Sequence, residues 1–271
     1  MDKYLVYGNP IKQSKSPFIH TAFAKDTHQD IEYKSQIADP DGFEKAVEAF
    51  IHEGGKGANV TAPFKEQAMA MCDELSEHAK YSGAVNTLTF NNGKIYGDTT
   101  DGVGLVNDLI SHQVQLDGSR ILLIGAGGAA KGVILPLLNQ NPKQLTLVNR
   151  TILKAEDIVL QYSGQPIKAM SFSEANEQVF DIIINATSAG LSGEGVPISS
   201  AVITSNTVCY DMTYGKHLTP FLQMATELKA KQVIDGLGML VGQAAESFYL
   251  WRGVRPETQN VLNNLRKELN Q

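Results

Sequence analysis

Arg120-Ile121-Leu122-Leu123-Ile124-Gly125-Ala126-Gly127-Gly128-Ala129-Ala130-Lys131-Gly132 is the stretch that decides the fold of this chain. RILLIG (120–125) is an unbroken apolar run closed by glycine, the pattern of a strand covered on both faces. AAKGVILPLLNQ (129–140) reads as a helix that Pro136 should kink or deprive of one hydrogen bond. Between them the glycines have G-x-G-x-x-A spacing. Gly125 permits the tight turn, Gly127 lets a phosphate approach backbone amides, and Ala130 keeps the helix close to the strand. The helix start then offers unsatisfied N–H groups and a partial positive charge, so Gly125, Ala126, Gly127, Gly128 and Ala129 form a candidate dinucleotide cradle.

Downstream, QLTLVN (144–149), FDIIINAT (180–187), NTVCYDM (206–212) and KQVIDG (231–236) are further strand-like runs, with TILKAEDIVLQYS (151–163) a helix between the first two. This alternation predicts a parallel, right-handed, doubly wound sheet. Upstream, KYLVYG (3–8), IEYKSQIA (31–38) and KGANVT (56–61) read as strands, each followed by a helical segment. NTLTF (86–90) and KIYGD (94–98) form a hairpin through Asn91-Asn92-Gly93. DGVGLVNDLISHQ (101–113) should bridge the two units. MLVGQAAESFYLWRG (239–253) and PETQNVLNNLRKELN (256–270) read as closing helices, with Pro256 opening the second. The expected fold is α/β with two domains: residues 1–101 with 237–271, and a Rossmann-like doubly wound domain over 102–236.

Composition narrows the function. The 271 residues are 42% hydrophobic and 19% charged, enough for real cores. A net charge of −6 argues against generic nucleic-acid binding, while leaving room for one local phosphate pocket. No apolar run is long enough for a membrane span, and the N-terminus lacks a signal pattern, so a cytoplasmic protein is expected. Cys72 and Cys209 stand far apart, and the six histidines form no ligand pair, so no metal site is expected. No Gly-x-Ser-x-Gly elbow points to a serine hydrolase.

The tip of the second Rossmann strand selects the cofactor. An NAD site usually places Asp or Glu there to accept from the ribose hydroxyls. Here the strand ends Asn149-Arg150-Thr151, with Lys154 one helical turn on. A guanidinium, a hydroxyl and an ammonium at a helix start suit a 2′-phosphate, so NADP is the expected cofactor.

Polar clusters sit where strands of the first unit end: Ser14-Lys15-Ser16-Pro17, Asn59 to Lys65, Gly83 to Thr87, and Asp98 to Gly102. Singly, each has a local explanation as a helix start, turn or cap. Together with later segments they resemble the NADP-dependent, biosynthetic shikimate dehydrogenase family. The matching motifs are SKSP (14–17), NVTAPFK (59–65), GAVNT (83–87), DTTDG (98–102), GAGGAA (125–130), NRT (149–151), INATSAG (184–190), YDMTY (210–214) and DGLGMLVGQAA (235–245).

The resemblance implies NADPH-dependent reduction of 3-dehydroshikimate to shikimate, in aromatic amino-acid biosynthesis. It assigns Lys65 and Asp101 as the catalytic pair, both also touching substrate. Ser14, Ser16 and Tyr214 are implied to bind the substrate carboxylate, and Thr61, Asn86 and Gln243 its hydroxyls. It places Thr187, Met212, Gly236 and Met239 around the nicotinamide end, and Glu77 near the cofactor, although no physical role for that acid is evident. Thr99, Ala130 and Ala189 depart from residues commoner in the family and change secondary hydrogen bonds only. A small-molecule substrate and a monomer or homodimer are expected. Two other readings stay open: a dual quinate/shikimate dehydrogenase, and a non-catalytic NADP-binding regulatory module.

Overall fold

The computed structural model describes residues 1–187 and 195–270, without the Asn270 side chain. Ala189 and the rest of the SAG tripeptide of the INATSAG motif lie outside the described residues. The chain divides into two compact units, residues 1–104 with 240–265 and residues 105–239 with 266–271.

The second unit carries a six-stranded, all-parallel sheet in the order β12-β11-β10-β7-β8-β9. Its strands are β7 (Arg120–Ile124), β8 (Gln144–Val148), β9 (Ile167–Met170), β10 (Ile182–Asn185), β11 (Val208–Asp211) and β12 (Gln232–Asp235). Renumbered from β7 as the first strand, this is the 3-2-1-4-5-6 order of a dinucleotide-binding sheet. Its apolar runs are needed because both faces are covered. On β7, Ile121 and Leu123 join one core with α6 (Gly128–Leu138), while Leu122 and Ile124 join another with α9 (Pro220–Glu227). Pro136 lies inside α6, fully within its span.

The first unit has a mixed six-stranded sheet, order β2-β1-β3-β5-β6-β4. Here β1 is Asp2–Gly8, β2 Ile31–Ile37, β3 Gly55–Val60, β4 Glu74–Leu75, β5 Thr87–Asn91 and β6 Lys94–Asp98. β1 pairs in parallel with β2 and β3, whereas β5 runs antiparallel to both β3 and β6. One face packs Leu5, Tyr7, Ala58, Val60 and Leu88 with Phe43 and Phe64, and the other packs Tyr4 and Val6. Trp251, near the end of α10 (Leu237–Arg252), lies against this second face. Its indole stacks on Tyr4 at 4.6 Å and donates to the Leu88 carbonyl at 3.1 Å. Gly57 is required beneath it, because an added Cβ would lie 2.5 Å from the indole nitrogen.

The last helix, α11, spans Gln259–Asn270 and starts three residues after Pro256, which therefore does not open it. Thr258 instead accepts from the Leu262 amide at 2.9 Å through its carbonyl.

Candidate active site

In the first unit three distant sequence motifs are sewn together by backbone register. Asn59 of β3 stands opposite Thr87 of β5, and Thr87 opposite Asp98 of β6. The Asn86 backbone donates to Asp98 O at 3.0 Å and accepts from Val60 N at 2.8 Å. Val85 N donates to Lys65 O at 3.0 Å, which ties the start of α3 (Lys65–Ala70) to the same segment. α5 (Asp101–Ser111) opens with Asp101 immediately after β6. The polar tips of β3, β5 and β6 are thus neighbours because the strands are.

The side chains follow. Lys65 Nζ meets Asp101 Oδ2 at 2.5 Å, with side-chain exposures of 31% and 16%. That leaves an ion pair sheltered from bulk water yet reachable by a small molecule. Asn86 Nδ2 donates to the other carboxylate oxygen, Asp101 Oδ1, at 2.9 Å and to Thr100 Oγ1 at 3.0 Å. Gln243, from α10, lies 3.5 Å from both Asn86 Nδ2 and Thr100 Oγ1 through its Oε1. So Lys65, Asn86, Asp101 and Gln243 form one connected constellation.

Ser14 and Ser16 lie together at the start of α1 (Ser16–Asp26), where the Ser16 amide donates to Ser14 Oγ at 3.3 Å. Thr61 follows β3, its amide donating to Tyr7 O at 2.9 Å and its methyl group filling the space over Gly8. Glu77 stands exposed in the first turn of α4 (Glu77–Ser82), after the Ser76 cap. An acid there complements the helix dipole, which gives the residue a structural reason of its own.

Sequence reading missed the residues behind the constellation: Asn59, Thr87, Thr100 and Ser247, all buried. Asn59, Thr87 and Thr100 were signalled only as small polar members of the motifs at strand ends, and Ser247, inside α10, not at all. His20 is buried beside them, stacked on Tyr33 at 4.1 Å. Burial pushes its pKa down to about 3, so it is a neutral core ring.

In the second unit the glycine turn sits between β7 and α6. Gly125 has φ +115, and a Cβ there would lie 3.1 Å from Thr187 Cγ2, so both backbone and space demand glycine. Gly127 caps α6 with no side-chain hydrogen bond, and a Cβ on Gly127 or Gly128 would meet nothing within 4 Å. Ala126 packs against the core, Ala129 is exposed and Ala130 is fully buried. Open space before bare helix amides is what a pyrophosphate requires.

At the tip of β8, Asn149 Nδ2 donates to Thr151 O at 2.9 Å, shaping the turn into α7 (Ile152–Leu160). Arg150, Thr151 and Lys154 are exposed around it, with no acid in the turn. These donors fit the extra phosphate of NADP.

The tips of β10 and β11 are held by a fully buried carboxylate that sequence reading also missed. Asp211 accepts from Asn185 Nδ2 at 3.0 Å, Thr213 N at 3.0 Å, Thr213 Oγ1 at 2.8 Å and Thr219 Oγ1 at 2.7 Å. Asn185 Oδ1 in turn accepts from Thr187 N and Oγ1. A buried charge persists only with such partners. The network fixes Thr187 and the segment bearing Met212 and Tyr214. Gly236 lies against Met212, where a Cβ would be 2.2 Å from the Met212 carbonyl oxygen. Met212 is half-buried and Met239 belongs to the hydrophobic core. Tyr214 is half-buried, in the segment after β11 of this second unit.

Three family descriptions match successive parts of the chain: "Shikimate dehydrogenase substrate binding domain" over residues 6–88, "Shikimate / quinate 5-dehydrogenase" over 108–192, and "Shikimate 5'-dehydrogenase C-terminal domain" over 236–266. The chain is 58% identical to a shikimate dehydrogenase (NADP(+)) of Colwellia psychrerythraea over 268 residues, covering 99% of this chain and 98% of the relative. It belongs to the shikimate dehydrogenase family. Among solved structures, an Ael1 enzyme from Pseudomonas putida has a TM-score of 0.95 at 42% identity, covering 98% of each chain. The shikimate 5-dehydrogenase from Thermus thermophilus, solved with NADP(H) and shikimate, has a TM-score of 0.90 at 27% identity, covering 99% of this chain and 100% of that one. Among the described residues of this family member, no helix is long and apolar enough to cross a membrane, and no group of three His, Cys, Asp or Glu could hold a metal ion.

Proposed function

We propose that this chain catalyses the reversible, NADPH-dependent reduction of 3-dehydroshikimate to shikimate, with Lys65 and Asp101 as its catalytic pair. The observation that carries the reading is the Lys65–Asp101 contact at 2.5 Å with Asn86 bonded to the second carboxylate oxygen, in a chain of this family. The unit of residues 1–104 with 240–265 carries Lys65, Asp101 and most of the substrate contacts, and residues 105–239 carry most of the cofactor contacts.

Bound NADPH supplies the hydride. The protein's task is to manage the charge and the proton at the ketone oxygen. Lys65 places an ammonium there, which stabilises the developing alkoxide and gives up the proton that makes it a hydroxyl. Asp101 orients Lys65 and balances its charge, and Asn86 holds Asp101. In the opposite direction neutral Lys65 accepts the proton from the hydroxyl. Ser14, Ser16 and Tyr214 donate to the substrate carboxylate, while Thr61, Asn86 and Gln243 pair with ring hydroxyls. Each of these groups is left unpaired by an analogue lacking its partner, which sharpens selection.

The cofactor is held by Gly125, Ala126, Gly127, Gly128 and Ala129 at its pyrophosphate, by Asn149, Arg150, Thr151 and Lys154 at its 2′-phosphate, and by Thr187, Met212, Gly236 and Met239 toward its nicotinamide. Glu77 is the weakest member of the set. The test is a steady-state assay following the NADPH absorbance band with shikimate or quinate and either NADP or NAD. Turnover with shikimate and NADP supports the reading. Preference for quinate with NAD, or no turnover, overturns it.

A further inference from the structure

We infer that Thr87 is a positioning residue for the Lys65–Asp101 pair, because its hydroxyl holds the acceptor end of the Asn86 amide and so keeps the donor end on Asp101. The inference rests on the proposed catalytic role of that pair. An asparagine side chain has a donor end and an acceptor end of nearly equal shape, and only its neighbours decide which points where. Asn86 has two neighbours of fixed polarity: the backbone N–H of Thr100, 3.0 Å from Asn86 Oδ1, and the Asp101 carboxylate oxygen, 2.9 Å from Asn86 Nδ2. The atom facing a backbone N–H must be oxygen, so the NH2 faces Asp101 Oδ1 and Thr100 Oγ1.

Thr100, whose hydroxyl also lies 3.2 Å from Asn86 Oδ1, holds one side of that oxygen. The Thr87 hydroxyl, 2.7 Å from Asn86 Oδ1, is the nearest donor to it and closes the arrangement from another residue. Asn86 Oδ1 is the nearest acceptor for its one proton, with Ser247 Oγ at 2.8 Å as the competitor, while the NH2 of Asn59 donates to its oxygen from 3.2 Å. Asn59 is itself oriented without ambiguity. Its NH2 donates to the Asn86 backbone carbonyl at 3.2 Å, and its oxygen accepts from Tyr33 OH at 2.7 Å. The order of donation therefore runs from Tyr33 and Asn59 through Thr87 to Asn86, and ends on the carboxylate oxygen that Lys65 does not occupy. Thr87 is 1% exposed. It touches no reacting atom, and its effect is carried by Asn86 and Asp101.

The experiment compares two near-isosteric changes. Thr87→Val keeps the branched shape and removes the hydroxyl, whereas Thr87→Ser keeps the hydroxyl and removes a methyl group. With shikimate and NADP, Thr87→Val is expected to lower kcat by about tenfold to thirtyfold, the scale of one lost buried hydrogen bond, with KM for shikimate within about threefold. Thr87→Ser is expected to recover most of that turnover. A purely structural role would instead make the two variants track their melting temperatures. Thr87→Val with kcat within about twofold of wild type, or Thr87→Ser as slow as Thr87→Val, overturns the inference. Should Thr87→Val fail to fold, Thr87→Ala is measured in its place against the same limits. Lys65→Met assayed alongside separates the two ideas. If it keeps wild-type turnover the catalytic pair itself is wrong, whereas if it is inactive while Thr87→Val is normal only the positioning role fails.

Discussion

Gly127→Ala tests the cofactor cradle in a way that separates folding from binding. Gly127 has φ −86 and ψ −176, a conformation open to any residue, and an added Cβ meets no atom within 4 Å. The methyl group costs part of the N-cap preference, about 0.5–1 kcal/mol, because alanine is a poorer cap than glycine. It also removes backbone freedom from the unfolded chain, a stabilisation of about 0.4–1 kcal/mol. The two contributions nearly cancel, so the melting temperature should stay within about 2 °C of wild type. Binding is another matter. The methyl group projects into the space before the α6 amides and holds the pyrophosphate away from them. Losing a favourable helix-terminus contact of about 2 kcal/mol weakens NADPH binding about thirtyfold. Calorimetric titration with NADPH, beside a melt without ligand, reads both quantities. An unchanged dissociation constant would refute the assignment of the cradle. A drop of more than about 5 °C would refute the claim that the site is sterically open. Gly125→Ala is the contrasting control: its φ of +115 and the 3.1 Å approach to Thr187 predict a loss of about 1–3 kcal/mol in stability.

Three further outcomes are expected. Arg150→Ala should weaken NADPH binding about tenfold to a hundredfold, the range of a charged hydrogen bond, while NADH binding moves little; equal losses for both would remove Arg150 from the 2′-phosphate site. Lys65→Met should lower kcat on the order of 10²–10⁴-fold with NADPH affinity unchanged in a titration without substrate. His20 has a folded pKa near 3 against an ordinary 6.5, so the unfolded chain binds the extra proton first as pH falls. Its contribution to stability is complete above about 6.5 and shrinks by up to about 1.4 kcal/mol per unit as pH drops toward 3. His20→Phe, which keeps the stacking on Tyr33, should flatten that part of the denaturation profile; an unaltered slope would assign the acid sensitivity elsewhere.

What could be read from the chain alone follows physical lines. The strands of the parallel sheet announce themselves because coverage on both faces forces runs such as RILLIG and FDIIIN. β9, Ile167–Met170, escaped reading because it is an edge strand, mostly half-buried, and IKAM carries a lysine. β4, only Glu74–Leu75, is too short to leave a pattern. Pro256 looked like a helix opener, but the chain stays irregular until Gln259. Among site residues, Lys65 and Asp101 had roles legible through motifs, whereas Asn59 and Thr87 stood in the same motifs with no role read for them and Ser247 stood outside any. Their roles depend on the β3–β5 register and on a helix about 160 residues away in sequence, and no local spacing encodes either. Asp211 was equally hidden, since an acid ending an apolar strand looks like the start of a loop until its four donors are seen.

Trp251 is the chain's only tryptophan, and it is pinned to the first unit by Tyr4, Gly57 and the Leu88 carbonyl. Its emission is therefore a private gauge of that unit, silent about the Rossmann half. The nearby His20 ring, 5.4 Å away, stays uncharged down to about pH 3, so it cannot act as a protonated quencher across the working range. Denaturant titrations read at the indole and by far-ultraviolet dichroism should then diverge if the halves melt separately and coincide if they melt as one.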